Sequence, residues 1–395
     1  MPTYLIYFNN GSSCDLSRFP PEAADLTVVN ANSVSDASAI IGTERSYRMY
    51  AMHQNEGGLD LEFSAGSPCR SATLTTPVAP SAIQGYGGGL SFGGTTHFVT
   101  NTASSGTGSL SAAISAASSG DIIQADNSLG TAPNSVSGAD WINGSYTPPS
   151  GVHLLGRSPD GNSFINLQSS ASVTTLDLSS VTGVQVSHVA VRNGLDCVRI
   201  RGGGKTIALD HCTFSNPADE MIDYAGNGGS GLKNITISHC VFNTNNFGML
   251  GNDSDTNAQP NTRLSVYGCW FNSIQFRAPQ TSGAGDSSNL GHHFWNNIYD
   301  VNTGLGGINF RATGGSCLIE EVANLTTNLV SQNGSTSGGA NVRYSGVHNS
   351  GGGSISYTNS GIGAVPNPPY SYSFFATGSY SAVYNYVTAN AGQGN

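Results

Sequence analysis

Apolar and polar positions alternate in short runs along most of the chain, and one eight-residue pattern recurs. It appears as Val184-Gln-Val-Ser-His-Val-Ala-Val191, Ile207-Ala-Leu-Asp-His-Cys-Thr-Phe214, Ile235-Thr-Ile-Ser-His-Cys-Val-Phe242, Leu264-Ser-Val-Tyr-Gly-Cys-Trp-Phe271 and His292-His-Phe-Trp-Asn-Asn-Ile-Tyr299. The copies start 23, 28, 29 and 28 residues apart. Apolar residues at positions 1 and 3 mark a strand with one face turned inward. The period is too short for most βαβ units and lacks a helical rhythm. It suits one coil of a right-handed, single-stranded parallel β-helix, with strands about 4.8 Å apart along the axis and equivalent residues in columns.

Position 6 supplies one such column: Val189, Cys212, Cys240, Cys269 and Asn297. Its cysteines are expected to be buried small hydrophobes rather than disulfide partners. The position-5 histidines, His211 and His239, are expected to support the coil structurally. His292-His293 lacks a companion Cys or carboxylate motif and makes no persuasive metal site. Gly202-Gly-Gly204 has no Walker lysine and no helix after it, so it reads as a turn. The run Gly108–Ala117 has a helical apolar pattern and is expected to cap the solenoid.

Ahead of the repeats, Thr3–Phe8, Leu26–Val29, Tyr47–Met52 and Leu59–Phe63 predict four short strands, and Thr75–Pro80 reads as a linker. The expected organisation is all-β: a small N-terminal β domain over residues 1–80 and a parallel β-helix over residues 81–395.

Composition supports this class. Glycine contributes 52 of 395 residues without a three-residue period, which excludes collagen. Charged residues are 10% and aromatics 9%, which excludes a coiled coil and argues against disorder. No run is long and apolar enough to insert in a membrane. Fourteen basic residues stand against 24 acidic ones, and the only lysines are Lys205 and Lys233. Without a basic run, nucleic acid is not an expected partner. The seven cysteines form no CxxC, and Cys14 and Cys69 could pair if the protein is exported. The N-terminus lacks the basic and long apolar regions of a secretory signal, so export would need another route or a leader already removed.

The columns also gather acid. Twelve residues on from the first four repeat starts lie Asp196, Asp219, Phe247 and Phe276, with Arg277 next to the last and Asp223 four residues after Asp219. Two carboxylates about 4.8 Å apart repel by roughly 3–4 kcal/mol at an effective dielectric of 20. Few lysines are at hand to neutralise them. A divalent cation between two coils would do so, and calcium suits oxygen ligands. A solvated acidic strip without metal is the alternative.

These residues resemble the pectate lyases of polysaccharide lyase family 1. Asp210-His-Cys-Thr-Phe-Ser215 followed by Asp219-Glu-Met-Ile-Asp223 is similar to that family's Asp-His, strand and Asp-x-x-x-Asp. Gly85–Gly94, His97–Asn101, Gly106–Leu110, Val189–Asn193, Arg277-Ala-Pro279, Asn296–Tyr299, Pro369–Ser373 and Ala391-Gly392 follow in order, covering residues 81–395. The resemblance implies calcium held by Asp196, Asp219 and Asp223, a catalytic Arg277, and β-elimination of an acidic polysaccharide. A structural salt bridge is the other reading of Arg277. Two departures thin the positive charge that would hold a uronate chain. Phe247 stands where the family often has lysine, and Ser282 stands where it has a second arginine. Glu220 adds negative charge beside the expected metal. A non-catalytic structural or receptor-binding β-helix is therefore the alternative function.

A small β domain ahead of a glycan-acting β-helix is similar in organisation to phage tail depolymerases. That implies a virion location, docking to other virion proteins through residues 1–80, and room for a homo-oligomer. A secreted extracellular lyase is the competing setting.

Overall fold

The computed structural model describes the backbone of five strands within residues 3–74. Beyond them it describes residues 82–224, 233–243, 247–251, 262–281, 290–301, 308–310, 316–324, 330–332, 341–349, 365–372 and 379–395. The chain forms two compact units, Met1–Val78 and Ala79–Asn395. Cys14 and Cys69, and the linker Thr75–Pro80, lie outside the described residues.

The first unit contains an antiparallel sheet of Thr3–Asn9, Leu26–Asn30, Ile41–Asn55, Gly58–Phe63 and Arg70–Leu74. Ile41–Asn55 pairs with the first, fourth and fifth strands. It begins six residues before the predicted Tyr47, because Gly42-Thr-Glu-Arg-Ser46 carries no apolar alternation to betray it.

The second unit is a parallel β-helix of about seven turns. Its first face includes His153–Leu155, Val184–Ser187, Lys205–Asp210, Lys233–Ser238, Thr262–Tyr267 and His292–Trp295. The second includes Asn166–Ser169, Ala190–Asn193, Thr213–Ser215, Val241–Asn243, Trp270–Ile274 and Ile298–Val301. The third runs through Leu176–Asp177, Val198–Arg199, Ile222–Asp223, Met249–Gly251, Gln280–Thr281, Ile308–Phe310 and Val330–Gln332. Val184, Ile207, Ile235, Leu264 and His292 pair in sequence, so the repeat starts are also the strand register.

The interior is built of self-matching columns. Phe214, Phe242, Phe271 and Tyr299 stack with centroids 5.4, 4.5 and 5.0 Å apart. Val189, Cys212, Cys240, Cys269 and Asn297 are fully buried. The backbone N–H of Cys212 approaches Cys240 Sγ at 3.4 Å, that of Cys240 approaches Cys269 Sγ at 3.4 Å, and that of Cys269 donates to Asn297 Oδ1 at 2.9 Å. Cys240, Cys269 and Asn297 thus each receive an amide from the preceding coil. The thiols are free, and burial pushes those of Cys212 and Cys240 far up.

Just before that column the chain bends sharply. His188, His211, His239, Gly268 and Asn296 all have φ between 48° and 63°, the left-handed region that turns the first face into the second. His188 stacks on His211 at 4.8 Å, and His211 on His239 at 4.7 Å. Asp210 binds this ladder: Oδ2 lies 2.8 Å from His211 Nδ1, and Oδ1 lies 3.2 Å from His239 Nδ1. Ser238 Oγ donates to it at 2.6 Å. Burial pushes the Asp210 carboxyl up, but the histidine hydrogen bonds and charges outweigh it and hold the group below the ordinary range. The C-terminal helix Tyr380–Asn390 and the tail behind it dock here, through His239 Nε2 to Tyr386 OH at 3.1 Å and Gly392 N to His239 O at 2.8 Å.

The predicted capping helix is Leu110–Ala116. Its N-cap Ser109 accepts from Ala112 N at 3.2 Å, and Leu110 and Ala113 are buried. A glycine-rich strap crosses the first face, where Gly87 N donates to Thr236 Oγ1 at 2.8 Å and Tyr86 N to Ser265 Oγ at 3.1 Å. A Cβ on Gly87 would sit 2.1 Å from Ile207 O, so only glycine permits this approach.

The ladder makes stability pH-dependent. Burial, assisted by the charge of His211, lowers the His188 pKa from the ordinary 6.5 to about 4; Asp210 and the Gln393 carbonyl oppose the shift and Arg157 reinforces it. Burial likewise lowers that of His153 to about 4. Across this window the unfolded chain binds more protons than the folded one, so stability rises with pH and is lost as pH falls from 6.5 toward 4. Urea unfolding of His188→Asn, which keeps a residue tolerant of positive φ, should show a shallower acid loss than wild type. An unchanged slope would mean that His188 is not one of the groups responsible.

Candidate active site

The site is built where coils enter the third face. Val198, Ile222 and Met249 are paired, and Phe247 pairs with Phe276. Two residues back along each strand, the column therefore reads Asp196, Glu220, Phe247, Phe276. The count of twelve holds in three coils and fails in one, because the coil starting at Ile207 carries an extra residue before its third strand. Glu220 takes the place that counting assigns to Asp219, and its backbone N–H approaches Asp196 Oδ1 at 3.4 Å. Asp219, one position earlier, has a side chain half exposed, whereas Glu220 is 2% exposed.

Asp196, Asp219 and Glu220 each bring a carboxylate oxygen within 4.8 Å of the others. Asp223, predicted as the third metal ligand, is not in this trio. Its Oδ2 accepts from Arg201 Nη2 at 2.5 Å and Nε at 2.9 Å. Arg199 bridges the two sets: Nη2 and Nε donate to Asp196 Oδ2 at 2.5 and 3.0 Å, and Nε lies 3.6 Å from Asp223 Oδ2. Burial pushes the Asp196 carboxyl up, partly offset by Arg199 and by Thr174 Oγ1 donating at 3.1 Å.

Arg277 sits two coils beyond Asp219, and its side chain reaches back. Nη1 lies 3.8 Å from Asp219 Oδ1 and forms an ion pair with Glu220 Oε1. Its guanidinium also lies 4.4 Å over the Phe247 ring, and Phe247 stacks on Phe276 at 5.8 Å. The predicted base and two of the predicted aspartates, Asp196 and Asp219, thus share one cluster. Ser282 lies outside the described residues.

The expectation that the acids lack neutralising charge needs correction. It rested on the scarcity of lysine, but Arg199, Arg201 and Arg277 supply the charge. The spacing Arg199-Ile-Arg201 was the available signal. Arg199 is also the cross-strand partner of Asp223.

No protein-family model and no curated protein matches the chain. Solved structures do. A pectate lyase from Bacillus sp. N165, in complex with trigalacturonate, matches with TM-score 0.53 at 17% identity, over 79% of this chain and 99% of that one. The pectate lyase of Paenibacillus sp. 0602 matches with TM-score 0.53 at 13% identity, over 79% and 96%. The cedar pollen allergen jun a 1 matches with TM-score 0.52 at 16% identity, over 78% and 92%. At these identities the likeness is one of fold: the chain has the pectate lyase fold.

Removing the Arg277 head should leave Glu220 buried beside Asp196 without its cation. Arg277→Ala should therefore cost about 3–5 kcal/mol in urea unfolding. Glu220→Gln/Arg277→Ala should recover most of that loss, because no buried charge is then stranded. Equal destabilisation of the single and double variants would show that the pair is not coupled.

Proposed function

We propose that this chain is a polysaccharide lyase that cleaves a uronate-containing glycan by β-elimination. The observation that carries the proposal is the meeting of Arg277 with the trio Asp196, Asp219 and Glu220 on a pectate lyase fold.

The trio fits a hard cation. Its donors are all carboxylate oxygens, mutually within 4.8 Å, and calcium–oxygen distances of about 2.3–2.6 Å span such a cluster. Glu220 Oε1 is moreover buried without a hydrogen-bond donor, having only its ion pair with Arg277. Asp196, Asp219 and Glu220 would hold the ion, with Asp223 orienting Arg199 behind them. Bound calcium would draw electron density from the sugar carboxylate and acidify the adjacent carbon.

The chain's own part is proton transfer and positioning. Arg277 must leave its ion pairs and take the proton on the carbon beside the uronate carboxylate. The electron pair released forms the ring double bond as the glycosidic oxygen departs, and that oxygen is protonated from water. A guanidinium surrenders its proton only above about pH 12, so Arg277 needs close approach and alkaline conditions. Phe247, where the resembled family often has lysine, and the neighbouring Phe276 offer aromatic rings in place of a positive charge. This suits a glycan whose uronates are interspersed with neutral or esterified sugars.

The same proposal sets the enzyme on a phage tail as a depolymerase, with the antiparallel unit of residues 1–80 docking to virion proteins. A secreted lyase is the other setting. Beside the departures at Phe247 and Ser282, the non-catalytic reading is favoured by the arginines that already neutralise Asp196, Asp223 and Glu220.

Two measurements separate the readings. Calcium titrated calorimetrically into wild type should bind, and Asp219→Ala should bind far more weakly; equal binding would remove the trio as the site. On a panel of acidic glycans, wild type should release unsaturated uronate products detectable by ultraviolet absorbance, at rates rising with pH. Arg277→Ala should lose about 10²-fold or more in turnover. Equal rates would refute Arg277 as base, and no product from any glycan would favour the binder.

A further inference from the structure

The second face carries a cavity that the lyase chemistry does not use. It has a volume of about 420 Å³ and lies between the 133–141 segment, the outer side of the second face and the C-terminal tail. That volume falls in the ordinary range of small-molecule sites, about 300–1,000 Å³. Arg192 is its cation. The guanidinium lies 3.8 Å over the Trp141 ring, and its Nε donates to Gln168 Oε1 at 2.9 Å. Arg192 is thus clamped from two sides. Unlike Arg199, Arg201 and Arg277, it has no carboxylate partner among the described residues.

The register extends this cation into a polar row. Arg192 pairs with Ser215, and Ser215 pairs with Asn243, all three lining the cavity. Three rungs about 4.8 Å apart span roughly 10 Å, the length of a disaccharide. A guanidinium followed by a hydroxyl and an amide matches a ring carboxylate followed by ring hydroxyls. The apolar lip is Val241 and Val136, the latter 99% exposed.

We propose that this cavity is a second saccharide-binding site, specific for a carboxylated sugar whose acid group is held by Arg192. The site is separate from the Asp196–Glu220 cluster and operates whether or not that cluster turns substrate over. The proposal shares only the acidic-glycan class with the lyase reading. A chain with both sites would hold its polymer at one place while acting at another.

The test uses the full chain carrying Glu220→Gln/Arg277→Ala, with EDTA present, so that the groove cluster is silenced. Calorimetry with digalacturonate should still show binding, weakened by salt, and the neutral disaccharide galactobiose should bind much less. Adding Arg192→Gln should weaken digalacturonate binding by about tenfold or more, the loss of one charge-assisted hydrogen-bonded contact. If that variant fails to fold, the fully exposed Val136 carries the test. Val136→Asp should weaken digalacturonate binding about threefold and Val136→Lys should tighten it. The proposal is overturned if the silenced chain binds no digalacturonate, if galactobiose binds equally well, or if binding ignores the charge at both positions 136 and 192.

Discussion

Every coil of the β-helix is hydrogen-bonded to the next with like positions above one another, so each side chain must tolerate a near copy of itself about 4.8 Å away. The rest of the molecule follows from how each residue type meets that demand. Thiols meet it by accepting the backbone amide of the preceding coil, and phenyl rings by stacking. Imidazoles meet it by stacking around a shared carboxylate, Asp210. Carboxylates cannot meet it alone. Where Asp196 and Glu220 fall in one column, arginines close in from the same coil and from two coils further along.

The same constraint separates framework from chemistry. The strap at Gly87 crosses the first face, and the C-terminal tail packs beside the histidine ladder and the second face. The carboxylate cluster lies at the entry to the third face, with Asp219 half exposed. Buried columns supply rigidity there. The ion pairs of Asp219 and Arg277, by contrast, sit at a partly exposed edge.

Much of this was legible in the sequence because the repeat writes the register directly. Five aligned octets gave the strand pairing from Val184 to His292 and the buried column from Val189 to Asn297. The helix after Ser109 was equally plain from its apolar pattern. What escaped was local. Counting twelve from each repeat start presumes an equal path to the third face in every coil, and the extra residue before Glu220 broke the count in the coil that carries the acid cluster. Counting lysines ignored that arginine, with its planar fork, is the better partner for a buried carboxylate. The pairing of Arg199 with both Asp196 and Asp223 depends on side-chain reach, which no periodicity encodes.

The extra residue before Glu220 has a wider meaning. A one-residue slip in strand register would turn every later side chain of that strand to the wrong surface, but this residue lies in the connection between the second and third strands. Here the pairing is restored by Ile222 and Asp223, and the neighbouring coils stay in step. A coil can therefore exchange which acid faces inward by gaining or losing one residue, with its neighbours unaware of the change. Such a scaffold lets lineages edit an active site by length as well as by substitution, one rung at a time.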